Sequence, residues 1–199
     1  FPGMDETKLP KGSINKNAGD NMSIINGIQN PQNFYTQGGS WVDTPPAGYS
    51  YFNLWSADNT TTGWNDNAVV KTVYDPCPVG FKMPASNAFT GFTSNGQYQS
   101  TAANINANGT ADSWDKFSAA YGHNFYTNSS KNATIFFPAS GFRNNSDGSL
   151  GNVGGDGYYW SAVPYSAGDG CNLYFYWSYV NPQLNYNRSY GFAARPVSE

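Results

Sequence analysis

Cys171-Asn172-Leu173-Tyr174-Phe175-Tyr176-Trp177 alternates so that Cys171, Leu173, Phe175 and Trp177 fall on one face. A period of two is the signature of a half-buried strand. Upstream of it, Gly157 to Ala162 reads as another strand. Before that come Ala133 to Phe137 and, beyond Pro138, Ala139 to Arg143. Downstream, Ser189 to Val197 closes the chain as a last strand. The stretches between, Asn144 to Asp156, Val163 to Gly170 and Ser178 to Arg188, are rich in Asn, Gly, Asp, Ser and Tyr and read as loops.

Farther upstream, Asp112 to Tyr121 has helical spacing. Asp112 or Ser113 can cap it, and Trp114, Phe117 and Tyr121 share a face, with Gly122 as the stop. Val69-Val70-Lys71-Thr72-Val73-Tyr74 is β-branched and reads as a strand that ends at Asp75-Pro76-Cys77-Pro78. Pro84 to Phe92 has room for a short helical turn, and Met22 to Ile28 and Tyr51 to Trp55 for short strands. The expected fold class is therefore α+β: an antiparallel sheet, one main helix packed on it through Trp114, Phe117 and Tyr121, and long polar loops. Residues 1–67 are punctuated by Gly, Pro, Asn, Ser and Thr and are expected to wrap a core formed by 68–199, one domain in all.

The composition narrows the function classes. Of 199 residues only 12% are charged while 17% are aromatic, so disorder is disfavoured and the polar surface must come from Asn, Ser, Thr, Gly and Tyr. Antibody paratopes use a similar palette. The net charge is −3 with no basic cluster, which argues against nucleic acid. No apolar run approaches the roughly 20 residues of a membrane span. The opening Phe1-Pro2-Gly3 is expected to follow a removed export signal.

Chemistry-bearing groups are sparse. His123 stands alone and reads as a surface or cap residue rather than a ligand. Glu6 and Glu199 are the only glutamates, so paired carboxylates for glycoside hydrolysis are poorly supplied. Gly151-Asn152-Val153-Gly154-Gly155 precedes a strand, not the helix N-terminus a phosphate site requires. No enzymatic activity and no cofactor is expected. Calcium stays an open alternative, because Asn145, Asp147, Asn152 and Asp156 supply oxygens in one loop, although Asn and Asp are also ordinary turn residues. The two cysteines, Cys77 and Cys171, are either one bridge of an exported protein or two separate buried thiols.

Lys71-Thr72-Val73-Tyr74-Asp75-Pro76-Cys77-Pro78-Val79-Gly80-Phe81-Lys82-Met83-Pro84, Phe137-Pro138-Ala139-Ser140-Gly141-Phe142-Arg143 with Asp147-Gly148-Ser149-Leu150-Gly151, Gly157-Tyr158-Tyr159-Trp160-Ser161-Ala162, and Arg188-Ser189-Tyr190-Gly191-Phe192-Ala193-Ala194-Arg195-Pro196-Val197 form four ordered blocks. Together they resemble the Fibrobacter succinogenes major paralogous domain, found in surface lipoproteins and fimbrillin-like proteins of Bacteroides-type bacteria. The resemblance covers about 68–199. It implies a C-type-lectin-like fold presenting variable loops from a fixed core. Many members end in a cysteine where this chain has Pro196, so Cys171 is left as the partner for Cys77, and a Cys77–Cys171 disulfide is expected. Trp64-Asn65-Asp66 spells a triplet of calcium-dependent lectins, but it precedes the core and lacks the acidic loop that accompanies it there. The thiol arrangement of formylglycine-generating enzymes, which share the broad fold, is not visible.

The resulting expectation is a cell-surface binding module, extracellular or outer-membrane and fimbrial. It would adhere to a host or microbial glycan or protein as the C-terminal part of an adhesin or pilus-tip protein, and would contact other pilus subunits. The alternative is a structural stalk or cap domain of a surface lipoprotein. Candidate ligand-binding residues are Tyr165, Tyr179 and Tyr186, whose rings can stack on a sugar or anchor a protein. Asn145, Asp147, Asn185 and Asn187 would supply hydrogen bonds around them.

Overall fold

Nine residues from Asp156 to Pro164 and eight from Asp169 to Tyr176 form the two longest inner strands of the molecule. A computed structural model describes Gln29, Phe34 and residues 47–50, 52–108 and 121–199. In chain order the strands are β1 (Phe81–Lys82), β2 (Gly122–Tyr126), β3 (Thr134–Pro138), β4 (Phe142–Arg143), β5 (Leu150–Gly151), β6 (Asp156–Pro164), β7 (Asp169–Tyr176), β8 (Tyr179–Asn187), β9 (Ala193–Ala194) and β10 (Val197–Ser198). The main sheet has the order β8-β7-β6-β9, antiparallel except that β9 runs parallel to β6. Three two-stranded ribbons, β1-β10, β2-β3 and β4-β5, surround it.

The alternation in β7 sorts Cys171, Leu173 and Phe175 to the buried side as the sequence implies, but Trp177 lies beyond the strand's end and is 53% exposed. Leu173 and Phe175 are fully buried and join Phe125, Phe137, Phe89, Phe92, Tyr159 and Val180 in the larger core. The β2-β3 hairpin brings Phe125 and Phe137 over the sheet, and Phe92 stacks on Phe125 at 4.0 Å. Each such ring removed from water contributes roughly 1.5–3 kcal/mol. Gly157 faces Phe175 across the β6-β7 ladder. A Cβ at Gly157 would lie 2.1 Å from the Phe175 ring, so only glycine lets the ring cross the strand there. A second cluster, Val69, Cys77, Met83, Trp160 and Ala162, is flanked by Trp55, Tyr186, Tyr190 and Phe192.

Polar clasps fix the Asp75–Met83 loop against this second cluster. The buried Asp75 carboxylate accepts the Cys77 N–H at 2.8 Å and the Met83 N–H at 2.9 Å. The Lys71 ammonium donates to the carbonyls of Cys77 (2.6 Å), Pro78 (2.8 Å) and Phe81. Residues 56–65 are tied to the later chain by the Ser56–Lys71 bridge, the Gly63 N–H to Pro164 carbonyl bond and the Asn65 N–H to Ser86 Oγ bond.

Several expectations are overturned. Among the described residues the structure is nearly all β, so the α+β class with one main helix, and with it the C-type-lectin-like description, does not hold. The helical elements with described bounds are two 3-10 turns, Thr90–Phe92, within the stretch expected to turn, and Ala102–Asn104. The physical reason is that, among the described residues, the β2-β3 ribbon and the Phe89–Phe92 turn supply the layer of rings that covers the sheet. Asp112 to Ala120 lie outside the described residues, as do Trp114 and Phe117. Tyr121 has φ 52° and is 43% exposed, so it neither continues a helix nor packs on the sheet. Gly122 is the first residue of β2, and its neighbour His123 is fully buried between Phe125 and Phe175 instead of lying at the surface.

Val69 to Tyr74 is not a strand. Val70 and Val73 are 43% and 82% exposed, and among the described residues the stretch has one β-bridge, at Lys71, its other ties being isolated hydrogen bonds such as Ala57 N to the Val70 carbonyl and Lys82 Nζ to the Val69 carbonyl. Ser178 to Arg188, expected as a loop, is the nine-residue strand β8. Met22 to Ile28 and Tyr51 lie outside the described residues, and Phe52 to Trp55 form a turn. The expected Cys77–Cys171 disulfide is absent, and both residues are buried free thiols. Cys77 packs with Trp160, which faces the same side as Asn172 in the ladder, whereas Cys171 alternates to the Leu173 and Phe175 side. The sheet backbone therefore separates them.

Candidate functional site: a tyrosine-lined sheet face

The face of the main sheet opposite Leu173 and Phe175 is built of tyrosine. Tyr158 on β6 and Tyr174 on β7 are paired in the ladder and stack at 4.6 Å. Toward one side Tyr158 continues into Phe192 at 4.6 Å, which in turn stacks on Trp160 at 4.4 Å. Toward the β7-β8 turn, Tyr176 and Tyr179 are paired and stack at 5.0 Å, and Tyr98 meets Tyr179 at 4.6 Å. Tyr98 arrives there because Gln99 and Val180 exchange backbone hydrogen bonds, both 2.9 Å, along the outer edge of β8. Tyr158 is buried, Tyr174, Tyr176, Tyr179 and Tyr186 are half-buried, and Tyr98 is 48% exposed.

One carboxylate organises the centre. Asp156 Oδ2 accepts hydrogen bonds from Asn152 Nδ2 (2.7 Å), Tyr158 OH (3.1 Å) and Tyr174 OH (3.3 Å). Burial first, then neighbouring phenols and the Asp156 charge, push the Tyr158 phenol far above its ordinary value. Burial and Asp156 do the same to Tyr174. Both rings therefore stay neutral donors. Amides border the group near Tyr98: Gln97 Nε2 donates to Gln183 Oε1 at 3.1 Å, and Gln183 Nε2 to Asn87 Oδ1 at 2.6 Å. Rings with uncharged amides at their edge can stack on an apolar face and hydrogen-bond a polar rim. They supply no nucleophile or general base.

The expected residues divide into separate groups. Tyr179 and Tyr186 lie on the tyrosine face, each against Tyr174, at 5.2 and 6.4 Å. Tyr165 does not join them. It sits in the β6-β7 turn at the opposite end of β7 and packs on Trp64 at 4.8 Å. Asn185 and Asn187 pair with Cys171 and Asp169 and so point to the other face from Tyr186. Asn187 Oδ1 closes its own turn, accepting from Ser189 N (3.0 Å) and Oγ (2.7 Å). Asn145 and Asp147 lie in the β4-β5 turn, where Asp147 Oδ1 accepts from Ser149 N at 2.9 Å and Oγ at 2.7 Å. Among the described residues no three His, Cys, Asp or Glu side chains gather where a metal ion could be held. Sequence reasoning missed Tyr98, Tyr174 and Tyr176. The last two were legible as the even-numbered positions of β7, opposite the face that was read as buried.

A family model, a domain of unknown function (DUF8237), matches residues 122–197, which span β2 to the start of β10 and hold most of the tyrosine face. No curated protein and no solved structure matches the chain. Among the described residues no helix is long and apolar enough to cross a membrane.

Proposed function

We propose that the chain is a binding module exported to the cell surface, the C-terminal part of an adhesin or pilus-tip protein that engages a glycan or protein through its tyrosine face. The observation that carries this reading is the group Tyr98, Tyr176 and Tyr179. Tyr176 stacks on Tyr179 and Tyr98 packs tilted against Tyr179 at the sheet's end, outside the main core, with amides beside them. Partly exposed tyrosine offers rigid amphipathic area at little conformational cost. The four sequence blocks that resemble surface proteins of Bacteroides-type bacteria support the extracellular, fimbrial setting. The reading assigns no catalytic role.

The test is a glycan array together with pulldown on host-matrix proteins, run with the wild-type chain and a Tyr98→Ala/Tyr179→Ala variant. A ligand retained by the wild type and lost by the variant, with the melting temperature nearly unchanged, is expected. Binding that the variant keeps overturns the assignment of the site. A second reading, a stalk or cap domain, is favoured by Val73, Val79 and Phe81, which are 82%, 97% and 46% exposed around the Lys71 clasp. A wild type that binds nothing would move the assignment to that reading.

A further inference from the structure

An open hollow of about 490 Å³ lies between the β2-β3 turn and the segment following the first 3-10 turn, lined by Ser94, Asn106, Tyr126, Thr127, Asn128 and Lys131 among others. None of its lining residues belongs to the tyrosine face. Its volume falls within the range of about 300–1,000 Å³ usual for small-molecule sites, which join apolar surface to a few placed polar groups. Among the described residues it combines hydroxyls and amides with the Tyr126 ring and the apolar stems around it. A ligand that matches it has hydroxyls at its edge and an apolar face.

The hollow is held in shape before any ligand arrives. On the turn side, Asn128 Nδ2 donates to Asn132 Oδ1 at 2.7 Å, Thr127 N to the Ala133 carbonyl at 3.0 Å and Lys131 N to the Asn128 carbonyl at 3.2 Å. On the floor, Asn106 Nδ2 donates to the Gly91 carbonyl at 2.9 Å, Tyr126 N to the Asn106 carbonyl at 2.9 Å and Tyr126 OH to Asn108 Oδ1 at 3.2 Å. Walls fixed in this way lower the ordering cost of binding.

Lys131 decides the charge. Its ammonium stands 5.6 Å from the centre of the Tyr126 ring, and among the described residues it makes no salt bridge. Among the described residues no carboxylate lines the hollow. We propose that the hollow binds an acidic saccharide, a hydroxyl-bearing sugar ring with one carboxylate, and that Lys131 is the partner of that carboxylate. Phosphate groups are held most specifically by bidentate arginine or by nests of backbone N–H groups, with lysine adding a point charge. Among the described residues the hollow is lined by one lysine and no arginine, which suits a single carboxylate better.

The experiment is a backbone-amide NMR titration of the full chain with methyl β-glucuronide, methyl β-glucoside and inorganic phosphate. The glucuronide is expected to shift the amides of residues 91–94, 106 and 126–131 and to bind about tenfold more tightly than the glucoside, the scale of one charge-assisted hydrogen bond. Lys131→Gln is expected to reduce the glucuronide to the level of the glucoside, and Lys131→Arg to retain the preference. Tyr98→Ala/Tyr179→Ala is expected to leave it intact, which separates this site from the tyrosine face. Equal binding of the two glycosides, shifts confined to other residues, or an unaltered preference in Lys131→Gln overturns the proposal. Phosphate binding as tightly as the glucuronide overturns its saccharide part.

Discussion

Replacing Gly157 with alanine tests the register on which both faces of the sheet depend. The new Cβ would lie 2.1, 2.4 and 2.6 Å from three carbons of the Phe175 ring, where ordinary contact begins near 3.4 Å. The ring cannot retreat. Phe175 is fully buried, with His123 at 5.3 Å, Phe125 at 5.6 Å and Tyr159 at 6.2 Å from its centre. Glycine to alanine in a strand would by itself stabilise by about 0.5–1 kcal/mol. Overpacking a core costs about 1–3 kcal/mol, and an obstructing ring with no free side puts this case at the upper end. A net loss of about 2 kcal/mol is expected. With a urea slope of about 2–3 kcal/mol/M the unfolding midpoint falls by about 0.7–1 M. Shortening the ring in Phe175→Leu removes the obstruction, so the double variant should cost about 1 kcal/mol or more below the sum of the single variants. A Gly157→Ala protein within about 0.5 kcal/mol of wild type, or strict additivity, would refute the Gly157–Phe175 pairing. Because Tyr158 and Tyr174 are the next pair in that ladder, it would also dismantle the tyrosine face.

Two further outcomes follow from buried ionisable groups. Burial and the neighbouring Asp75 push the Cys77 thiol up to about 11, and burial alone pushes Cys171 up to about 12. A thiol reagent at neutral pH should label neither residue in the native chain and both after denaturation without reductant; no label on the denatured chain would show a disulfide after all. The second concerns alkaline pH. The Tyr158 and Tyr174 phenols are raised above their unfolded value near 10, so above that pH the folded chain holds protons that the unfolded chain has released. Their contribution to stability is complete below pH 10 and is lost as pH rises beyond it. Unfolding free energy measured from pH 8 to 11 should therefore fall above 10, with the fall reduced in Tyr158→Phe/Tyr174→Phe; an equal fall in that variant would remove these phenols from the account.

The sequence carried β6 and β7 because their patterns are strong. Leu173 and Phe175 alternate with Tyr174 and Tyr176, and β6 is apolar or aromatic almost throughout, with every residue after Asp156 buried. β8 was illegible for a physical reason. It is the sheet's edge, so polar residues such as Asn181, Gln183, Asn185 and Asn187 are tolerated along it. Pro182 sits where the β7-β8 register shifts, a place open to a residue without an N–H. Val69 to Tyr74 misled in the opposite sense. Its β-branched run is a strand signal, yet Lys71 is used to clasp three carbonyls of the following loop and Val73 is left in solvent. Tyr98 gave no signal, because its neighbours Asn95, Gly96 and Gln97 read as a turn and only the long-range Gln99–Val180 bridge carries it to Tyr179. For the cysteines, the resemblance argued by elimination for a bridge, while the parity of β7 places Cys171 on the far side of the sheet from Cys77.

The contrast between the two faces of the main sheet bears on what the wetter one is for. On the core side the large residues are mostly Phe, Leu and Val. Its one tyrosine, Tyr159, hands its hydroxyl to the Pro138 carbonyl at 2.6 Å. On the other side tyrosine recurs at Tyr98, Tyr158, Tyr174, Tyr176, Tyr179, Tyr186 and Tyr190. A tyrosine hydroxyl that is not in water requires a partner. Asp156 supplies one for the two innermost rings, Tyr158 and Tyr174, where solvent is least available. Toward the β7-β8 turn, among the described residues, no carboxylate bonds the outer rings, although the Tyr179 phenol has Asn181 beside it. Phenylalanine at Tyr98 and Tyr176 would cover the sheet there equally well. Keeping a hydroxyl on each ring makes sense where the rings meet a partner that is apolar on one side and hydrogen-bonding at its edge. A sugar ring has that character, and so does the rim of a protein interface.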